Sequence, residues 1–320
     1  MEVARATEAL LRRFRSRRPL RGGSLLITIF GDAIAPRGGV VTLGSLIRLA
    51  APFSLTERLV RTSVARLAQE GWLVARRDGR RSEYRLTAQG EQSFAQATRR
   101  IYGPGPKAWD GQWTLLLLPS PGARRPGTGN GRDRLREELR WLGFGQVNAG
   151  VFLHPGCSPE QAREWLSRLP AAPDAVVLRS SSTAPAADRL LISTGWDLAE
   201  LERRYRVFVQ GFTPIREVLA RPDGLSAAPQ SAPPLGAEHA FVIRTLLIHD
   251  YRKIHLQDPL LPPALLPDRW IGTSAYELCR SLYGRVFAAA EGFLSATAST
   301  LERPLPPAGR EAHERFGGIG

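Results

Sequence analysis

Cysteine is almost missing from this 320-residue chain, which holds only Cys157 and Cys279, far apart and without a CxxC pair or histidine-rich spacing nearby. That excludes a disulfide framework and leaves no ligand pattern for a structural metal. Lysine is scarce too: Lys107 and Lys253 are the only ones among 44 basic residues. The positive charge is therefore almost wholly guanidinium, whose planar fork donates two hydrogen bonds at once and suits phosphate. Long apolar runs are also lacking. No segment reaches membrane-spanning length, and the opening MEVARATEALLRRFRSRRPLRGG has charge but no apolar stretch of signal-peptide length. Neither a lipidation signal nor an amphipathic anchor points to a membrane partner. A cytoplasmic protein is expected.

What is present is arginine, unevenly placed. The formal net charge is +14. Residues 1–102 hold 19 arginines against 8 acidic residues, whereas the rest of the chain is nearly balanced. A cationic face of this density repels itself unless a polyanion covers it, and with no membrane anchor the remaining common polyanion is nucleic acid. With 43% hydrophobic residues, the chain can build two or three domains with substantial cores.

Proline, glycine and small residues suggest the boundaries. A basic tail over residues 1–22 precedes a first domain over 23–102, a middle domain over 109–193, a helical domain over 194–302 and a disordered tail over 303–320. Gly103-Pro104-Gly105-Pro106 reads as a linker, and Pro121–Arg132 and Arg221–Gly236 as long loops. No internal repeat is visible.

The first domain reads as helix, helix, helix, hairpin, helix. SLLITIFGDAIA is apolar at helical spacing and LGSLIRLAA is a short second helix. Ser54 opens a third through a Ser-x-x-Glu capping box completed by Glu57. Advancing about 100° per residue from Glu57, Leu59, Val60, Ser63, Val64 and Leu67 make a buried stripe, Arg58, Arg61, Thr62 and Ala65 face away, and Arg66 lies on the flank. After Gly71, two alternating runs flank the Asp78-Gly79 hairpin signal. Three helices and a hairpin form a winged helix-turn-helix, whose third helix enters the DNA major groove while the wing lies on the backbone. The candidate DNA-binding residues are Thr56, Arg58, Arg61, Thr62 and Arg66 on the helix and Arg76, Arg77, Arg80 and Arg81 on the wing. Arg58 and Arg61 suit guanine edges; Arg66 and the wing suit phosphates.

In the middle region WTLLLLP, GVFLHP and DAVVLRS read as strands and RDRLREELRWLGF and PEQAREWLSRL as helices. That alternation predicts a small ferredoxin-like sandwich. The third region is helical, an effector or dimerisation domain. The fold class expected is therefore α+β.

The blocks GDAIAPRGG, LGSLIRLAAPF and SLTERLVRTSVARLAQEGWL, together with HDYRKIHLQDPLLPPALLPDRWIG nearer the C-terminus, resemble the PaaX family, transcriptional repressors of phenylacetate-degradation genes. The match runs in order over nearly the whole chain, outside the Gly-rich loop Pro121–Arg132 and the residues after Leu301. The resemblance implies a winged-helix domain, a ferredoxin-like middle domain similar to the small CRISPR integration subunit, and a helical C-terminal domain. It also implies dimeric binding to an inverted-repeat operator in double-stranded DNA and release by phenylacetyl-CoA or a related acyl-CoA, with no cofactor.

Within the C-terminal block, His249–His255 is denser in polar chemistry than the helices around it. One reading is a charged helix surface or dimer interface. The other is a site for the coenzyme A thioester, with Arg252 and Lys253 on phosphates, Tyr251 and Trp270 stacked on an adenine or phenyl ring, and His255 beside them.

Two rival functions are a nucleic-acid-processing enzyme and an RNA-binding regulator. The first needs a metal-binding carboxylate on the first strand of the middle domain, but WTLLLLPSP has none. His154 and Cys157 lack a third orienting group, and Cys279, flanked by Leu278 and Leu282, reads as core. RNA binding would call for an aromatic RNP-like strand or a GXXG loop, and the chain has neither.

Overall fold

The computed structural model describes residues 2–17, 22–105, 108–118, 129–168, 175–220 and 236–319, with the side chains of 129–132 left out. Of the loop expected at Pro121–Arg132, Gly129–Arg132 instead begin α6 and the rest lies outside the described residues, as do the loop Arg221–Gly236 apart from Gly236 and Pro106 of the linker. In chain order come α1 (Glu2–Arg15), α2 (Gly22–Ile29), β1 (Val40–Thr42), α3 (Leu43–Ala50), α4 (Glu57–Gln69), β2 (Leu73–Asp78), β3 (Arg81–Leu86) and α5 (Ala88–Tyr102). There follow β4 (Trp113–Leu117), α6 (Gly129–Trp141), β5 (Gly145–Asn148), β6 (Val151–His154), α7 (Pro159–Ser167), β7 (Val176–Ser180) and α8 (Pro185–Gly195). The chain closes with α9 (Leu198–Ala220), α10 (Ala237–His255), α11 (Ile271–Thr297) and α12 (Arg310–His313). Among the described residues no helix is long and apolar enough to cross a membrane. The architecture is α+β.

Two compact units form, and their composition departs from the expected boundaries. One contains Met1–Pro104, Arg206–Lys253 and Thr273–Gly320; the other contains Gly105–Tyr205 and Ile254–Gly272. The helical region expected as a separate domain over 194–302 is thus divided, and most of it shares a core with the winged helix. α10 shows why. Every residue from Ala240 to His249 is buried, Arg244, Thr245 and His249 included, so the helix is enclosed on all sides. Phe241 meets Phe53 at 6.0 Å between ring centroids, edge to face.

Residues 1–22, expected as a basic tail, instead begin with α1. Thr7, Leu10, Leu11 and Phe14 are buried at helical spacing, and Phe14 packs edge to face on Phe53 and His249. The arginines of α1 occupy the sides of a helix whose apolar stripe is short but complete. The tail expected over 303–320 is also ordered into the fold. Ser299 bridges to Pro304, the Gly309 N–H donates to the Pro36 carbonyl, and Leu305, Ala312, Arg315 and Phe316 are buried.

Arg315 enters an ionic knot centred on Asp32, in the π-helical turn Phe30–Ile34 that follows α2. Asp32 is 3% exposed. Its Oδ2 accepts from Arg244 Nε at 2.7 Å, and its Oδ1 from Arg315 Nη1 at 2.9 Å, Tyr102 OH at 2.7 Å and Tyr283 OH at 2.8 Å. The Asp32 carbonyl accepts from both guanidiniums. Arg244 also reaches Glu291 at 2.6 Å, and Glu291 in turn accepts from buried Arg37. Burial alone would push the Asp32 carboxyl up, but the Arg244 and Arg315 charges and the two phenol hydrogen bonds outweigh it and hold the group below its ordinary value.

The second unit is a four-stranded antiparallel sheet in the order β5-β6-β4-β7. With α6 after β4 and α7 after β6, this is the ferredoxin-like βαββαβ arrangement. Leu116, Leu135, Leu139, Phe144, Phe152, Ala162 and Leu166 fill one core, while Trp113, Leu153, Ile192, Leu261 and Leu265 fill another. The sequence reading omitted β5, whose four residues, Gly-Gln-Val-Asn, carry no strand-like apolar alternation.

Removing Asp32 leaves two buried guanidiniums without their shared anion, so Asp32→Ala is expected to cost about 3–5 kcal/mol in urea unfolding near neutral pH. A carboxyl with a depressed folded pKa stabilises above its unfolded value of about 3.9 and loses that contribution as pH falls through the folded value. Asp32→Asn should therefore flatten the acid limb of stability below about pH 4. An unfolding midpoint unchanged in both variants would contradict this account.

Candidate nucleic-acid interface and effector residues

The third helix begins later than expected. Ser54 has φ of 60° and closes the 3-10 turn Ala51–Phe53, so it cannot serve as the extended N-cap of a box with Glu57. Thr56 takes that place: its Oγ1 accepts from the Leu59 N–H at 3.2 Å. Val60, Ser63, Val64 and Leu67 are buried, Leu59 is half-buried, and Arg58, Arg61, Thr62, Ala65 and Arg66 are exposed. Arg61 is held by Glu57 at 2.6 Å and Arg66 by Glu70 at 2.7 Å, one turn along the helix in each case. Thr62 donates to the Arg58 carbonyl at 2.8 Å.

The wing is a two-residue hairpin. β2 and β3 pair from Leu73↔Leu86 to Asp78↔Arg81 around Gly79-Arg80, with Gly79 at φ 55°. All four candidate arginines, Arg76, Arg77, Arg80 and Arg81, are exposed, but pleating separates them. Arg77 projects from the face that carries Leu73, Leu86 and Tyr84. Arg76 and Arg81 project from the other, beside Glu83 and Arg85. There Arg76 meets Glu302 at 3.0 Å and Glu83 at 3.5 Å. Arg76 therefore carries its own counterions, one of them from the segment after α11.

The effector candidates fall in different surroundings. Tyr251 has no exposed surface and packs on Phe208 at 5.5 Å. Arg252 donates from Nε to Thr28 Oγ1 at 2.8 Å and from Nη2 to Ser24 O at 2.7 Å and Ser24 Oγ at 3.0 Å. All of these acceptors are neutral, and burial pulls this guanidinium down to about 10. Lys253 Nζ donates to His249 Nε2 at 2.6 Å. His249, buried and facing Lys253, Arg252 and Arg17, is held far below its ordinary pKa and stays neutral. His255 contacts Tyr205 OH at 3.0 Å, and Trp270 packs edge to face on Tyr205. Tyr251, Arg252 and Lys253 belong to the first unit, His255 and Trp270 to the second.

Among the described residues no cluster of His, Cys, Asp and Glu could hold a metal. Burial, followed by the nearby Glu160 charge, pushes the Cys157 thiol up to about 12, which favours the thiol over the nucleophilic thiolate at neutral pH. What sequence reasoning missed is the polar interior: Asp32, Arg37, Arg244 and Arg315 sit in runs whose apolar periodicity they interrupt without any motif of their own.

This fold and surface define a winged-helix protein whose third helix presents arginines to solvent, joined to a ferredoxin-like domain. The chain belongs to the PaaX family: residues 21–90 match the PaaX-like protein model, residues 106–192 the PaaX protein central Cas2-like domain, and residues 196–296 the PaaX-like protein C-terminal domain. It is 35% identical over 304 residues to the transcriptional repressor PaaX of Escherichia coli strain K12, covering 94% of this chain and 92% of that one. Among solved structures it resembles the uncharacterized protein Rv0674 from Mycobacterium tuberculosis, at 23% identity and a TM-score of 0.47, over 77% of this chain and 89% of that one.

Because Thr56 and not Ser54 caps α4, Thr56→Ala should destabilise the fold by about 1 kcal/mol in thermal unfolding, whereas Ser54→Ala should change it far less. Equal losses in the two would return the cap to Ser54.

Proposed function

We propose that this protein is a transcriptional repressor, not an enzyme, that works in the cytoplasm as a homodimer on an inverted-repeat DNA operator and is released by an aryl-acetyl-CoA such as phenylacetyl-CoA. The observation that carries the reading is the capped α4, whose exposed face holds Arg58, Arg61, Thr62 and Arg66, in a family whose E. coli member is a transcriptional repressor. Arg58 and Arg61 read guanine edges in the major groove, and Thr56 and Arg66 contact the flanking backbone. Exchanging the Arg61–Glu57 pair for a base costs little, since exposed ion pairs contribute under about 1 kcal/mol. On the wing, Arg77, Arg80 and Arg81 neutralise phosphates. Arg76 joins them only by leaving Glu302 and Glu83.

One winged helix reads too few base pairs to define an operator, so two copies related by a two-fold axis bind half-sites about one helical turn apart. The effector reading draws on Arg252. Its donors meet only neutral oxygens of α2, which leaves an uncompensated cation suited to phosphate, with Lys253 one residue on. Since α2 packs on α4, an anion that draws Arg252 away from Ser24 and Thr28 disturbs the support of the recognition helix. Release requires that the ligand favour the conformation that binds DNA poorly.

On operator DNA, Arg58→Ala and Arg61→Ala should each cost about 1–3 kcal/mol and relax discrimination at particular bases. Arg80→Ala should weaken binding to all sequences and flatten the salt dependence. Equal losses on specific and random duplex for all three, or tighter binding to hairpin RNA, would refute the major-groove assignment.

In a DNA-shift titration, phenylacetyl-CoA should release the wild-type protein while phenylacetate does not, and Arg252→Ala and Lys253→Ala should need more ligand for release. Release by phenylacetate alone would overturn the thioester reading; unchanged release in both variants would overturn the residue assignment.

A further inference from the structure

The second unit contains a cleft of about 990 Å³ that none of the residues discussed above for DNA or effector line. Its size lies at the upper end of small-molecule sites. All of the tryptophans except Trp72 belong to this unit; Trp109 and Trp196 line the cleft, and Trp113 packs against both. Trp113 is buried, 5.4 Å from Trp109 edge to face and 6.3 Å from Trp196 at an interplanar angle of 29°. Each indole N–H is already used: Trp113 donates to Asp188 at 2.8 Å, Trp109 to Gln112 O at 2.9 Å and Trp196 to Gly143 O at 3.2 Å. What the half-buried Trp109 and Trp196 offer a ligand is therefore ring surface. Trp196 lies so close over Gly145 that a Cβ there would sit 2.7 Å from the indole, which fixes the ring in place.

The facing wall is the proline-rich part of the C-terminal sequence block, Ala264–Asp268, for which the DNA-binding reading has no use. Leu260 and Arg269 bracket it with φ of 55° and 57°. Such strain in non-glycine residues persists where the surroundings impose it, and it clusters at ligand sites. Ile192, Leu198, Leu265 and Leu266 complete the apolar lining. The charges at the rim narrow the ligand class. Asp188, Asp197 and Asp268 stand against Arg189 alone, a balance that repels a nucleotide's phosphates and a free acid but tolerates an uncharged arm. Arg189, exposed and in no ion pair among the described residues, can donate to a carbonyl oxygen.

We propose that this cleft receives the aromatic ring and thioester arm of an aryl-acyl thioester, the ring against Trp109 and Trp196. The choice of arene rests on the effector reading given above; the location rests on the cleft.

The test is calorimetric titration of the full chain, without DNA, using phenylacetyl-CoA, phenylacetyl-pantetheine, pantetheine and phenylacetate. Both thioesters should bind, the truncated one within about tenfold of the complete one, and the two fragments should bind far more weakly. Ala199→Trp and Ala264→Trp start from exposed positions and fill the cleft; each should weaken thioester binding by at least about tenfold while leaving the circular dichroism and ligand-free operator binding unchanged. Unaltered affinity in both filled variants overturns the proposal, as does the absence of binding by either thioester at about 1 mM. The repressor reading is scored separately by operator binding without ligand. If phenylacetyl-CoA releases DNA from the filled variants as it does from wild type, the effector reading stands and the cleft is not its site.

Discussion

Asp32 is buried with both carboxylate oxygens and its carbonyl inside a shell of two guanidiniums and two phenols. The members of that shell come from α5, α10, α11 and the segment after α12, between 70 and 283 residues from Asp32 in sequence. A carboxylate so placed is tolerable only if every partner is present together, because an unmatched buried charge costs far more than a matched one returns. The knot therefore couples elements that could otherwise dock independently. It explains why the winged helix and most of the C-terminal helices make one unit, and why the last residues of the chain are folded against it.

The same constraint reaches the support of α4. α2 leads directly into the turn that carries Asp32, and its other residues Ser24 and Thr28 hold Arg252. α2 thus meets a paired charge in the turn after its last residue and, along Ser24 and Thr28, a guanidinium whose acceptors there are neutral. Bringing a counterion to such a desolvated guanidinium would relieve a cost that the fold carries.

Much of this was legible in the sequence, for identifiable reasons. The stripe Val60, Ser63, Val64 and Leu67 followed from helical periodicity, and the Asp78-Gly79 signal located the wing. Local chemistry also misled. Ser54 and Glu57 have the spacing of a capping box, but spacing does not reveal that a proline-containing 3-10 turn leaves Ser54 left-handed. The arginines of α1 and of the last segment suggested solvated tails, because the few apolar residues among them are too sparse to announce a core until a partner surface is known. The knot was invisible because its meaning is entirely tertiary: Asp32, Arg244 and Arg315 look alone like surface charge, and only their meeting makes them interior.

The near absence of lysine unites these observations. An ammonium is compact and strongly hydrated, so burying it beside tyrosine rings and main-chain carbonyls is expensive, and it has no plane to stack. A guanidinium loses less on leaving water, and its fixed fork meets several acceptors at once. Arg244 uses this to touch Asp32 and Glu291 while lying 5.0 Å from the Tyr283 ring and 4.9 Å from the Phe287 ring. Arg315 stacks 4.2 Å over Tyr102 in the same way. On α4 the same geometry suits the paired acceptors of guanine or the oxygens of a phosphate. One side chain type thus suits both the driest interior and an exposed basic face. For that reason the net charge alone does not measure its nucleic-acid surface: some of the arginines that contribute to it never face solvent.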